Sequence, residues 1–227
     1  MTEKEIKALL ADMTLKEKIG QLTQLDASCF NDEGPVTGAE TELGIPAEDF
    51  PYAGSVLGVI GARQVEKLQK MCMEKQPHHI PVLFMADIIN GYKTIFPIPL
   101  ALGCSFDTEE VKKVGDIMAQ ESAAAGLHVT FAPMVDLVRD ARWGRVMEST
   151  GEDPYLNAQM AAAMVKGIQG EAADYEDHLG ACTKHFAAYA PLQREENTIP
   201  WSYPSGLYET ITCRLIRRLL TQEALWL

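Results

Sequence analysis

Ile80-Pro81-Val82-Leu83-Phe84-Met85-Ala86-Asp87 is the stretch on which the fold turns. Its apolar run is short, does not alternate with polar residues, and ends on a carboxylate. That is the pattern of a strand buried on both faces. Similar runs occur at Val56-Leu57-Gly58-Val59-Ile60, at Val129-Thr130-Phe131-Ala132 and around Ala181-Cys182-Thr183. Helical patterns separate them. Thr14 to Leu25 opens with a capping box, Thr14 and Glu17, and places Ile19 and Leu22 on one face. Ala62 to Met73 follows the first run. Asp107 to Ala125 has Asp107 as its cap, a stripe of Val111, Val114, Met118 and Ala125, and Gly126 as its stop. Asp153-Pro154 opens a further helix in which Leu156, Met160, Met164 and Ile168 repeat and Gly170 ends the run. The methionines read as core filling.

Alternation of strands and helices predicts a parallel α/β architecture. About four strands over residues 1–190 are few for a closed (β/α)8 barrel of about 250 residues, though enough for an open doubly wound sheet. No internal repeat or low-complexity segment is present.

Composition excludes several functions. The chain has 227 residues, with 32 Asp and Glu against 20 Lys and Arg, for a formal charge of -12. That balance argues against nucleic acid or an anionic membrane as partner. With 47% hydrophobic and 23% charged residues the composition is that of a globular chain. No apolar run reaches the roughly 18–20 residues that span a bilayer. The opening Met1-Thr2-Glu3-Lys4-Glu5 carries no secretory pattern, and five cysteines without paired short spacing read as free thiols. Both features lead to an expectation of a cytoplasmic protein.

Three polar clusters sit just after strand runs, where βα loops carry chemistry. Asp87-Ile88-Ile89-Asn90-Gly91 offers a carboxylate that can accept hydrogen bonds from two vicinal sugar hydroxyls, or cap a turn. Arg139-Asp140-Ala141-Arg142-Trp143-Gly144-Arg145-Val146-Met147-Glu148 suits a network that fixes one guanidinium for directional bonds to substrate oxygens, or a purely structural ion-pair network. Trp143 is either a stacking platform or core, with core favoured. Lys184-His185-Phe186 sets a cation beside an imidazole at a strand end. His78-His79 reads as a solvated loop, because no third ligand stands at metal spacing. No phosphate loop, G-x-G-x-x-G or G-x-S-x-G is present. No metal or cofactor is expected.

Taken in order, these clusters resemble glycoside hydrolase family 3, β-glucosidase type. Met13-Thr14-Leu15-Lys16-Glu17-Lys18-Ile19-Gly20-Gln21-Leu22 resembles its opening helix, and Gly54-Ser55-Val56-Leu57 its first barrel strand. Ile80 to Leu102, with Phe96-Pro97-Ile98-Pro99-Leu100, resembles its second strand and substrate loop. Pro133 to Pro154 resembles its longest signature, and Lys184-His185-Phe186-Ala187-Ala188-Tyr189 the next. The resemblance runs from about residue 8 to 190. It implies an incomplete (β/α)8 TIM-type barrel and retaining hydrolysis of terminal non-reducing β-D-glucosides. By the same resemblance, Asp87, Arg145, Lys184 and His185 bind the hydroxyls of the terminal glycosyl unit, and the partner is a β-glucoside or oligosaccharide. Retention needs two carboxyl groups about 5–5.5 Å apart. The family nucleophile usually stands in a Ser-Asp-Trp-like stretch, and this chain has no Ser-Asp pair. Its acid/base usually comes from a later domain. The chain alone is therefore expected to be inactive.

The resemblance also speaks to subtype. Residues after Phe186 lack the His–Asp dyad of the β-N-acetylglucosaminidase branch. Family β-xylosidases tend to carry Glu where Asp87 stands, and the shorter Asp leaves room for a hexose hydroxymethyl. A β-xylosidase-like member or a non-catalytic carbohydrate-binding chain are the alternatives. Asn90 departs from the His often found before the Gly, which bears on the aglycone.

At Pro191 the resemblance stops. Residues 191–227 have no Lys, Asp or His and hold two of the three Trp. Back-translated and read from the third base of each codon, Glu195 to Trp201 permits R-E-Y-N-T-V, and Ile211 to Arg218 permits Y-L-P-x-Y-K-A. Both resemble family strings. The expected organisation is a partial barrel over 1–190 and an aberrant, frameshifted tail over 191–227. Half a barrel with open strand edges is expected to be poorly soluble, oligomeric or molten.

Overall fold

The computed structural model describes residues 1–30, 44–170, 177–186 and 189. The expected tail over 191–227 lies outside the described residues. The chain divides into two compact units, one of Met1–Ala86 with Ala124–His128 and one of Asp87–Ala123 with the residues from Val129 onward.

In the first unit, helices α1 (Glu3–Asp12) and α2 (Leu15–Gln21) each open with a reciprocal capping box, Thr2 with Glu5 and Thr14 with Glu17. The helix expected over Thr14 to Leu25 is shorter than the pattern suggested. It stops at Gln21, and Gln24–Asp26 forms strand β1. This adds a fifth strand to the expected four. Ile19 of α2 and Leu22 at its C-terminal cap, placed on one face by the pattern, are 56% and 90% exposed.

Strand β2 (Ser55–Leu57), helix α3 (Ala62–Lys75) and strand β3 (Leu83–Ala86) complete the unit. The strands run parallel, with Leu25 beside Val56 and Val56 beside Phe84. These three side chains form a fully buried row. Leu68 and Cys72 of α3 are buried as well, and burial pushes the Cys72 thiol up to about 11. Gln69 on α3 accepts the Val82 N–H at 2.9 Å, which fixes where β3 begins. His78, expected in a solvated loop, is largely covered and lies 3.7 Å from the Glu17 carboxylate. That contact joins residues far apart in sequence, so no local pattern announces it.

The second unit contains α4 (Pro99–Ser105), α5 (Thr108–Ala124), β4 (Val129–Thr130), α6 (Pro154–Gln169) and β5 (Gly180–Ala181). Asp107 and Asp153 cap α5 and α6 as expected, accepting from Glu110 N and Leu156 N. Val111, Val114 and Met118 of α5 and Met160, Met164 and Ile168 of α6 are buried, so the methionines fill core. Strands β4 and β5 pair in parallel, Val129 with Gly180 and Thr130 with Ala181. In both units neighbouring strands are consecutive in sequence. Repeated βα succession in a parallel sheet is the construction rule of a (β/α) barrel. Among the described residues no helix is long and apolar enough to cross a membrane.

Candidate active site

Asp87, Arg145, Lys184 and His185 all lie in the second unit and pair off there, Asp87 with Lys184 and Arg145 with His185. Pairing of β4 and β5 continues past both strands. Cys182 N donates to Thr130 O at 2.9 Å, Lys184 N to Pro133 O at 3.1 Å, and Val135 N to Lys184 O at 2.7 Å. Met134 and Lys184 form a further parallel bridge. The backbone therefore holds Lys184 and His185 rigidly against the segment that leaves β4. The Ala132–Pro133 and Lys184–His185 peptides are cis.

Lys184 is largely buried and its ammonium donates to the half-exposed carboxylate of Asp87. Asp87 is fixed from the next residue on, because the buried Thr130 hydroxyl accepts the Ile88 N–H at 3.0 Å. The remaining two residues meet each other. Arg145 NH1 lies 3.3 Å from His185 Nε2. The guanidinium is also gripped bidentately by Glu148, Nε to Oε1 at 2.8 Å and NH2 to Oε2 at 2.7 Å. It lies 5.3 Å from the centroid of the Tyr189 ring. The acid that fixes this guanidinium is thus Glu148. Asp140 instead pairs with Arg142, Nε to Oδ1 at 3.0 Å, and is held down at about 2 by it. Trp143 is buried, edge-on to Tyr189 at 6.1 Å, so it belongs to the core rather than to a stacking platform.

Asp136 completes the cluster and was not singled out in the sequence. Its buried carboxylate accepts from both His185 N (3.1 Å) and His185 Nδ1 (2.8 Å). The network assigns the imidazole proton to Nδ1, leaving the Nε2 lone pair toward Arg145. Tyr189 covers the ring at 4.2 Å. Ser149 Oγ donates to the Asp136 carbonyl at 2.7 Å and anchors the segment. The available signal was a lone acid inside the apolar run Met134-Val135-Asp136-Leu137.

The Arg145 hydrogen bonds hold the Glu148 carboxyl below its ordinary 4.5, against the opposing effect of burial, with the Lys184 charge adding to the depression. A depressed folded pKa gives stability that is present above the unfolded pKa and is lost as pH falls through the folded one. Glu148 should therefore contribute fully above pH 4.5 and progressively less below it. Melting temperatures taken across that range should show a Glu148-dependent drop that a Glu148→Gln variant lacks. An unchanged acid profile in that variant would contradict the assignment.

One carboxylate, one ammonium, one guanidinium and one oriented imidazole at parallel strand ends form a set of donors and acceptors suited to a polyhydroxylated ligand. Among the described residues no group of three or more His, Cys, Asp or Glu could hold a metal ion.

The chain belongs to glycosyl hydrolase family 3: the profile described as "Glycosyl hydrolase family 3 N terminal domain" matches residues 14–200. It is 36% identical over 196 residues to the periplasmic beta-glucosidase of Salmonella typhimurium, covering 86% of this chain and 25% of that protein. It is 33% identical to a putative beta-xylosidase of Formosa agariphila, over 84% of this chain and 27% of that protein. Crystal structures of a beta-glucosidase from Listeria innocua resemble the whole chain, one with a TM-score of 0.88 and 43% identity over 32% of that protein. Another, a D270A mutant in complex with laminaribiose, has a TM-score of 0.86. The fold is therefore α/β, an incomplete TIM-type barrel. The chain spans about a quarter to a third of the length of these relatives.

Proposed function

We propose that this chain supplies the glycosyl-binding face of a retaining β-glucosidase, with Asp87, Arg145, Lys184 and His185 binding the hydroxyls of the terminal non-reducing β-D-glucosyl unit. The observation that carries the reading is the Lys184–Asp87 ion pair beside the Arg145–His185 contact. Asp87 can accept from two vicinal hydroxyls while keeping Lys184, and the ammonium and guanidinium each retain hydrogens for ligand oxygens. The names of the relatives, beta-glucosidases and beta-xylosidases among them, support the reaction class. Retaining hydrolysis needs two further carboxyl groups, a nucleophile and an acid/base. No Ser-Asp pair of the kind that carries the family nucleophile occurs in residues 1–227. We therefore propose binding without turnover for the chain by itself. Free thiols at Cys29, Cys72, Cys104 and Cys182 support a reducing, cytoplasmic setting.

Titration of residues 1–227 with D-glucose and D-xylose, followed by NMR, tests this. Asp87 is one methylene shorter than Glu and leaves room for the hexose hydroxymethyl, so glucose should bind more tightly. Asp87→Ala should abolish binding of both, and p-nitrophenyl β-D-glucoside should not be hydrolysed. Tighter binding of xylose would favour the β-xylosidase alternative. Turnover that Asp87→Ala removes would refute the inactive reading.

A further inference from the structure

Glu121 on α5 lies outside the polar cluster, yet its carboxylate is engaged by the loop that carries Asp87. Oε2 accepts the Lys93 N–H at 2.9 Å and the Thr94 N–H at 2.7 Å, while Oε1 accepts the Thr94 hydroxyl at 2.6 Å. Three donors on one carboxylate, two of them backbone, are a strong and directional set. They pull its pKa below the ordinary carboxylate value, the Thr94 bonds first.

The loop so held is a closed hairpin. Phe96 N donates to Asn90 O at 2.8 Å, and Asn90 Nδ2 returns a bond to Phe96 O at 3.3 Å. Gly91 and Ile95 bridge antiparallel below the tip. Gly91 has φ +133°, and a Cβ there would lie 2.0 Å from Thr94 O, so only glycine permits this closure. At the root, Thr130 Oγ1 takes the Ile88 N–H and gives its own hydrogen to Ile88 O at 3.3 Å. The segment from Asp87 to Phe96 is thus pinned at its root by β4, closed at its neck by Asn90, and tied at its tip to α5. Without the tip tie, only the two Thr130 bonds and the Lys184 ion pair hold the root where Asp87 stands.

We propose that Glu121 is a positioning residue that clamps the tip of the 88–96 loop and thereby holds Asp87 in place for the terminal glycosyl unit. The role toward ligand rests on the sugar-binding reading above; the clamp itself does not.

The test uses residues 1–227 with Glu121→Ala and the more conservative Glu121→Gln, which keeps one acceptor oxygen. Amide hydrogen exchange at Lys93 and Thr94 should accelerate about tenfold in Glu121→Ala and less in Glu121→Gln, since lost charge-assisted bonds expose those N–H groups. Exchange along β4 and β5 and the melting temperature should change little. Glucose affinity should fall about tenfold in the alanine variant and recover in part with glutamine. Unchanged exchange at Lys93 and Thr94 overturns the clamp. Faster exchange with unaltered glucose affinity overturns the positioning role. Failure of the unsubstituted chain to bind glucose overturns the sugar-site reading and the role built on it, and the exchange rates then still decide the clamp.

Discussion

Gly167→Ala should lower the melting temperature by roughly 10 °C, a shift corresponding to about 3 kcal/mol in a chain of this size. Helices α5 and α6 cross at two glycines. A Cβ on Gly167 would lie 2.1 Å from the Lys112 carbonyl oxygen and 2.9 Å from the Asp116 nitrogen. A Cβ on Gly115 would meet the Met164 carbonyl oxygen at 2.9 Å. These obstacles are backbone, so no side-chain rotation relieves them. The helices would have to part, opening gaps around the buried Val111, Met118, Met164 and Ile168. Alanine has the higher helix propensity by about 1 kcal/mol, which offsets only part of the clash. Lys166→Ala, next to Gly167 but exposed, is the control and should melt like the parent. Thermal unfolding followed by circular dichroism decides the matter, and a parent-like melt for Gly167→Ala would mean that the two helices do not approach so closely.

The sequence exposes this helix pair and hides how it packs. Helix α5 was legible because its signals agree: a cap at Asp107, a stripe of Val111, Val114 and Met118, and a stop at Gly126. Each of these is a local property. Gly115 and Gly167 show only absent side chains in their own helices, and their meaning lies in the partner helix. Strand β1 escaped for a different reason. Gln24-Leu25-Asp26 contains one apolar residue of three and follows directly on a helical pattern, so periodicity extended α2 across it. Parallel pairing with β2 decides its conformation, and that pairing is non-local.

The candidate site divides along the same line. The clusters holding Asp87 and Lys184-His185 were legible because each follows directly on an apolar run, where a parallel sheet presents its loops, whereas Arg145 lies further along its loop and entered the set only through the family resemblance. The structure brings Asp87 to Lys184 across 97 residues and Arg145 to His185 across 40. The residues that hold those groups were less legible. The arginine cluster offers two acids, Asp140 and Glu148, and the sequence does not say which one grips Arg145. Glu148 takes that part, because the turn at Val146–Glu148 carries its carboxylate back onto Arg145. Asp136 reaches His185 only through the extended β4–β5 pairing.

Asp136→Asn should weaken glucose binding tenfold to a hundredfold, the range expected when one charge-assisted hydrogen bond is lost and its partner is turned. The substitution keeps the shape and changes the hydrogen-bond roles. In the parent, Asp136 Oδ2 accepts from both the nitrogen and Nδ1 of His185, which places the ring proton on Nδ1 and the lone pair on Nε2. That lone pair faces an Arg145 donor at 3.3 Å. An asparagine that turns its NH2 toward Nδ1 would move the ring proton to Nε2. Two donors would then face each other, and the imidazole or the guanidinium would have to turn away. Glu148 holds the guanidinium at two points, so the imidazole is the group that moves. The asparagine could instead keep its oxygen on His185, which preserves the tautomer but removes the charge that strengthens both bonds. Nitrogen NMR of the His185 ring distinguishes the two outcomes, because protonated and unprotonated ring nitrogens resonate far apart. Either outcome should reduce affinity, with the larger loss where the tautomer changes. Asp136→Ala removes the acceptor entirely and should lose at least as much affinity, along with some stability from the buried backbone N–H of His185 left unpaired. Parent-like glucose affinity in both variants, with the ring tautomer unchanged, would show that His185 is oriented by its contacts with Arg145 and Tyr189 and that Asp136 is dispensable to the site.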